Sequence, residues 1–252
     1  MLDQLNRVKI TPIAIGSFEP WAVSCWFEYL NLRINGHNYH NSFVRGDISA
    51  YDQGIKQVFI HLKQLIERKA FADNASQRSI RESLPTLYRE KAGITLEGSF
   101  IEGYIPDQFK HNIGFFEFPF IEPNVENIQV SPVDILLIAK HTQHPNAAKA
   151  FLRFMATAEA QTLVNQMLYQ VPANINSKTS NSNLLASVVQ SLARADGLTQ
   201  FYDREANEAL AAKNMQIWTE FLEKPDIQDA QQRMEKARLE YLQTINEKRP
   251  TQ

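Results

Sequence analysis

Long apolar runs are missing from this 252-residue chain. No stretch approaches the roughly 18 consecutive apolar residues that a membrane-crossing helix needs. The opening residues, MLDQLNRVKITP, carry charge and no extended apolar stretch, so a secretion signal is not expected in the sequence as written. Cysteine is nearly absent: the single Cys25 cannot close an internal disulfide, and redox compartment is not fixed by it. Its setting in Val23-Ser24-Cys25-Trp26-Phe27 points to burial as a small hydrophobe. Nor is there an excess of either charge: 26 Lys and Arg stand against 28 Asp and Glu, mixed throughout, which argues against a dedicated nucleic-acid surface. The 9 glycines are scattered; P-loop, dinucleotide fingerprint and G-x-S-x-G elbow are all missing.

What is present is enough apolar sequence, 44%, to build a sizeable core in one large domain or two lobes. Helical spacing predicts a helix from Trp21 to about Ile34, stopped by Asn35-Gly36, and an amphipathic one over 52–69 through Ile55, Val58, Phe59, Leu62 and Ile66. Further helices are expected over 76–88 (with Pro85 inside), 145–155, 157–169, 184–195 and 208–222, and after Asp226. Short strands are expected at 10–15 and 94–96, an apolar strand pattern over 113–119, and a buried strand over 135–139. The result is a helix-rich α/β chain whose strands are short and widely separated.

Four places carry residues suited to binding. Gly98-Ser99-Phe100 follows an apolar strand, so that Gly98 allows a close backbone approach and a polar residue and an aromatic stand at a strand's end. Trp21 falls in the first turn of its helix. Asp134 precedes the 135–139 run, where it also suits a turn or cap. The patch Phe201-Tyr202-Asp203-Arg204 sets two aromatics beside an acid and a base; in a cleft, one accepts and the other donates to an array of hydroxyls. Core packing and a local salt bridge fit these residues as well. His37 and His40 have no further ligand at a supporting spacing, so neither a metal nor a cofactor is expected. Glu97 and Asp134 are the only acids that suggest a flanked glycosidic bond, and no spacing supports acid/base hydrolysis. Aromatic faces stack on the C–H face of a pyranose while polar neighbours take its hydroxyls, so binding is favoured over catalysis.

Five segments carry a specific likeness: 11–36, 90–107, 131–161, VPAN at 171–174, and ADGLTQFYDREANEALA at 195–211. Taken in order, they resemble the extracellular solute-binding proteins of sugar ABC importers, the maltose-binding-like family. The resemblance implies an α/β, two-lobe periplasmic-binding-protein-like fold of type II, with a helix-rich second lobe and short strands. Sugar or oligosaccharide would bind between the lobes and be delivered to ABC permease subunits in the membrane, in a periplasmic or extracellular setting. Trp21, Ser99, Phe100, Asp134, Asp203 and Arg204 are the implied ligand contacts, with Phe100 as a stacking platform. Ser99 stands where family members often carry Asn or Asp.

Family members are usually longer, and by resemblance this chain begins after most of the first lobe. Residues 1–117 and 166–252 would then build the second lobe and 118–165 the remnant of the first. The apolar faces of 113–120, 135–139 and 151–155 would have too little to pack against, which favours instability or association. A truncated product, a split protein completed by a separate polypeptide, and an internal start are the alternatives; expressed as written, the chain would be cytoplasmic. A remnant acting as a structural or interaction partner is the competing reading, and a carbohydrate-active enzyme the third.

Overall fold

The computed structural model describes residues 1–248. In chain order the elements are α1 (Leu2–Arg7), β1 (Thr11–Ala14), α2 (Trp21–Asn35), α3 (His37–Val44), α4 (Gln53–Glu67), α5 (Ile80–Tyr88), β2 (Ala92–Thr95), α6 (Asp107–Lys110), β3 (Ile128–Val130), α7 (Pro145–Met155), α8 (Ala158–Leu168), α9 (Asn183–Arg194), β4 (Gly197–Thr199), α10 (Tyr202–Glu205), α11 (Glu208–Glu223) and α12 (Ile227–Lys248). Two parallel pairs form the described strand pairing, β1 with β2 and β3 with β4. No helix among the described residues is long and apolar enough to cross a membrane. Contacts divide the chain into two compact units: one of residues 1–96, 118–131 and 195–252, the other of 97–117 and 132–194. These boundaries follow contacts and differ from the lobe boundaries implied by resemblance.

The first unit is a well-filled helical body on the β1–β2 pair. Asp52 caps α4 by accepting from the Gly54 N–H, and Ile55, Val58, Phe59 and Leu62 bury one face of that helix at spacings of three and four. Gly36 ends α2 with φ +80°, a conformation that a side chain disfavours. Phe27 of α2 stacks on Trp218 of α11 at 4.2 Å between ring centroids, and Phe59 of α4 meets Phe27 edge-on at 5.3 Å. The Trp218 indole N–H points to the Met234 sulfur of α12, so four helices share one aromatic centre. Cys25 is buried, as its apolar setting suggested.

Two charged side chains are buried on α2. Arg33 donates to the carbonyl oxygens of Phe118 and Ile128 and to Asn127 Oδ1, at 2.9–3.3 Å. Its guanidinium lies over the Tyr29 and Phe120 rings. The forked donors thereby hold the irregular stretch 118–128 against α2, a task that needs several hydrogen bonds in fixed directions. Glu28 is sealed beneath α10: Ser24 Oγ donates to its Oε1 at 2.6 Å, the Tyr202 backbone N–H also serves it, and Oε2 has no partner. Burial pushes its carboxyl up to about 7, against the bonds from Ser24 and Tyr202 and with some help from Asp203 and Glu205.

The second unit buries far less. Its buried apolar residues are Ile101, Ile105, Ala160 and Leu185. Glu102 accepts from Ser182 Oγ at 2.6 Å, and Ser182 in turn accepts from the Leu185 N–H, fixing the start of α9 on the turn at 99–104. Lys110 donates to Tyr169 Oη at 2.9 Å and lies over the same ring.

Several expectations need correction. Residues 135–139 are not a buried strand: they join no ladder among the described residues, and Ile135 and Leu137 are 71% and 84% exposed. Residues 113–119 form no strand either, with Phe115 and Phe116 exposed. An apolar run becomes a strand only if a neighbouring strand meets its backbone groups, and none of the described residues does so. Helix α7 forms as expected yet buries no residue. Conversely, β3 and β4 fall where loop and helix end were expected; three-residue parallel strands leave too short a pattern to read. His37 and His40 lie in α3 rather than a loop, with the His40 ring buried against Asn31 Nδ2 at 3.1 Å.

Two outcomes test this packing. Arg33→Met removes the side-chain donor from the Phe118 and Ile128 carbonyls and one of the two donors to Asn127 Oδ1, which keeps Gln129, and lowers the unfolding free energy by about 3 kcal/mol in urea titration, with Arg33→Lys recovering little of it. Glu28 has its folded pKa raised from 4.5 to about 7, so the folded state holds the proton more tightly. Its penalty is absent below about pH 4.5, grows as pH rises and is complete above 7. Glu28→Gln therefore gains stability over the native chain by about 2–3 kcal/mol between pH 4 and pH 8, read from denaturant midpoints at each pH.

Candidate functional site

In the first unit the chain turns from β4 into α10, and burial alternates sharply along it. Tyr202 is fully buried: its ring stacks with Phe43 at 5.6 Å and lies 4.9 Å from Trp218, and its hydroxyl accepts from Asn214 Nδ2 at 2.7 Å. Burial raises its phenol well above the ordinary tyrosine value. With that ring turned inward, Phe201 stays at the surface, half-buried, and Asp203 and Arg204 are exposed. Of the two aromatics in this patch, only Phe201 is available to a ligand.

Trp21 opens α2 immediately after Pro20 and is half-buried against the unit's core. Its ring lies 6.0 Å from that of Phe201, with the planes inclined at 40°. The Arg204 guanidinium lies over the Phe201 ring, 5.7 Å from its centroid. The fold thus brings two of the expected residues, Trp21 and Arg204, against Phe201, an aromatic of the same patch that was not among the expected ligand contacts. The signal for Phe201 was present in the sequence: in an extended approach to a short helix, neighbouring aromatics cannot both face the core.

The second unit holds the other three. Gly98 adopts φ −85°, so it is not needed for a left-handed conformation. Its use is space: a Cβ there would lie 2.5 Å from the Phe100 ring, which folds back over it. Ser99 begins the 3-10 turn 99–104, and both Ser99 and Phe100 are half-buried. Asp134 is exposed on a stretch that is neither strand nor helix. Within this unit Tyr169, in a left-handed conformation at the end of α8, covers Gly103 and is held by Lys110.

Chemically, the Trp21–Phe201 pair makes an aromatic surface with a guanidinium beside it. Such a surface suits the C–H face of a pyranose, with the Arg204 donors beside it for hydroxyl groups. No group of three or more His, Cys, Asp or Glu among the described residues is arranged to hold a metal ion.

Comparison with known proteins places these features in a family. The family model described as bacterial extracellular solute-binding protein matches residues 10–162, more than half of the chain. An uncharacterised ABC transporter extracellular-binding protein of Pyrococcus horikoshii is 29% identical over 171 residues, which are 68% of this chain and 37% of the relative. The multiple sugar-binding protein of Streptococcus mutans is 27% identical over 167 residues, 64% of this chain and 40% of that protein. Among solved structures, the bacterial solute receptor AcbH, described as having an exclusive preference for β-D-galactopyranose, superposes with a TM-score of 0.86 at 22% identity, over 97% of this chain and 63% of that one. RafE, solved with raffinose, gives 0.74 at 16% identity, over 93% and 62%. The chain therefore spans about two fifths of these relatives' length and under two thirds of these structures. The fold is the two-lobe type II solute-binding fold expected from the sequence, and the chain belongs to the bacterial extracellular solute-binding protein family.

Proposed function

We propose that this chain binds a sugar or oligosaccharide and serves an ABC importer by presenting that ligand to the membrane permease outside the cytoplasm. The observation that carries the reading is the Trp21–Phe201 pair beside Arg204 in the first unit. Its shape and chemistry suit a pyranose, and the relatives' names speak of sugar binding and of extracellular ABC transport. In this reading Trp21 and Phe201 stack on the sugar, while Asp203 and Arg204 meet its hydroxyls. Ser99, Phe100 and Asp134 are further ligand contacts in this reading. Residues 1–117 and 166–252 belong to the second lobe and 118–165 to the first. The chain performs no catalysis and uses no cofactor: it discriminates by contact alone.

A face built from two aromatics and a few polar groups supports only modest affinity, on the order of millimolar. Titration calorimetry of the chain with D-galactose, raffinose and a chitin oligosaccharide, the ligand types of its structural neighbours, is expected to give saturable binding for at least one. Trp21→Ala and Phe201→Ala each weaken that binding about 3- to 10-fold. Absence of binding across the panel, or binding indifferent to both substitutions, contradicts the reading.

A further inference from the structure

The Glu28 carboxyl lies inside the first unit, under the same short helix that carries part of the proposed ligand face. Its residue is 1% exposed. Oε1 accepts from Ser24 Oγ at 2.6 Å and from the Tyr202 backbone N–H, while Oε2 meets no hydrogen-bond partner among the described residues. Within electrostatic reach lie Asp203 and Glu205 of α10, both acids, and the phenols of Tyr29 on α2 and Tyr202 on α10. Ionisation therefore puts a charge where water is excluded, where one oxygen lacks a donor, and where two further carboxylates repel it. The protonated carboxyl carries no charge and still accepts at Oε1.

Displacement of α10 is the short route by which water reaches this group. The helix has four residues and lies between extended backbone at Phe201 and Ala206. Its own bonds are local: the Arg204 and Glu205 N–H groups donate to the Phe201 carbonyl, and the Ala206 N–H to that of Tyr202. Tyr202 ties it to the body through its ring, its hydroxyl on Asn214 and its backbone N–H on Glu28. A segment this small opens at a fraction of the free energy needed to unfold the whole unit. Phe201 flanks α10 and Arg204 lies within it, so its movement shifts the ring that faces Trp21 and the guanidinium over that ring.

We propose that Glu28 is a positioning residue for the ligand face, and that its ionisation loosens α10 and weakens sugar binding as pH rises. Neutral, it keeps α10 seated, with Phe201 and Arg204 beside Trp21. Ionised, it draws water beneath α10 and frees both. The ligand in this statement rests on the sugar reading above; the motion of α10 does not. Burial first, then the two acids, raises the carboxyl from 4.5 to about 7. With the folded value raised, the seated form is favoured at low pH and is lost as pH passes 7.

Two measurements on the full chain, made in series from about pH 5 to pH 9, separate these parts. Hydrogen exchange without ligand, corrected for its intrinsic pH dependence, reads the 202–206 amides. Calorimetry with D-galactose, raffinose and a chitin oligosaccharide reads binding. Between pH 6 and pH 8, protection over 202–206 and sugar affinity are both expected to fall about 3- to 10-fold. In Glu28→Gln both ratios approach 1. Ser24→Ala removes a donor to the ionised form and moves the fall to higher pH; Glu205→Gln removes a neighbouring charge and moves it to lower pH. If no sugar binds while the exchange profile behaves as stated, the sugar reading fails and the control of α10 by Glu28 stands. Sugar binding that is equally strong at pH 6 and pH 8 overturns the proposal. So does protection over 202–206 that ignores pH, or whose pH dependence survives in Glu28→Gln and stays in place in both other variants.

Discussion

The Tyr202 ring, enclosed by Phe43 and Trp218 and hydrogen-bonded to Asn214, sets the direction of every side chain around it. Once it is drawn into the core, the residue before it must face outward and the two after it must take a short helical turn on the surface. Phe201, Asp203 and Arg204 have their places for that reason. The same core holds α2 through the Phe27–Trp218 stack, which sets where the helix begins and so where Trp21 stands. The proposed ligand face and the core anchor are therefore two sides of the same aromatic packing. Beneath it Glu28 links α2 to α10 through Ser24 and the Tyr202 backbone, at a cost in stability that rises with pH. A buried carboxyl of this kind stiffens the support under Phe201 while leaving its own second oxygen unsatisfied.

The two units differ in how completely the sequence's apolar residues are used. Four helices of the first surround Trp218 and leave few large side chains idle. The second relies on four buried apolar residues and the Glu102–Ser182 contact, and leaves Ile135, Leu137, Phe151 and Phe154 in solvent. Apolar area is stabilising only where it is removed from water, so this unit gains little from its most hydrophobic sequence.

Much of this was legible in the sequence, and the reasons are local. Helices α2, α4, α7, α8, α9, α11 and α12 each have an apolar spacing of three and four or a defined cap, and both signals survive without tertiary context. Trp21 could be placed at a helix start because Pro20 and the apolar run after it fix the register. The 135–139 segment read by its own residues is a buried strand, because the strands that would pair with it are not a property of those residues; only the resemblance anticipated that its apolar face would lack packing. Phe201 was hidden beside Tyr202: composition puts two aromatics in one patch, and only the core decides which of them turns inward. Gly98 shows the same limit. Its value could be inferred, but whether it supplied a positive φ or room for the Phe100 ring depended on where that ring goes.

The central claim is that Trp21 and Phe201 form a sugar-stacking face. Saturation-transfer NMR on the intact chain tests it most directly, by irradiating aromatic protons in the presence of an excess of pyranoside. The account predicts transfer to the sugar's ring C–H protons, strongest on one face of the ring, and its loss when Trp21 and Phe201 are both replaced by serine. Equal transfer in native and doubly substituted chains, or no transfer to any pyranoside, would contradict it.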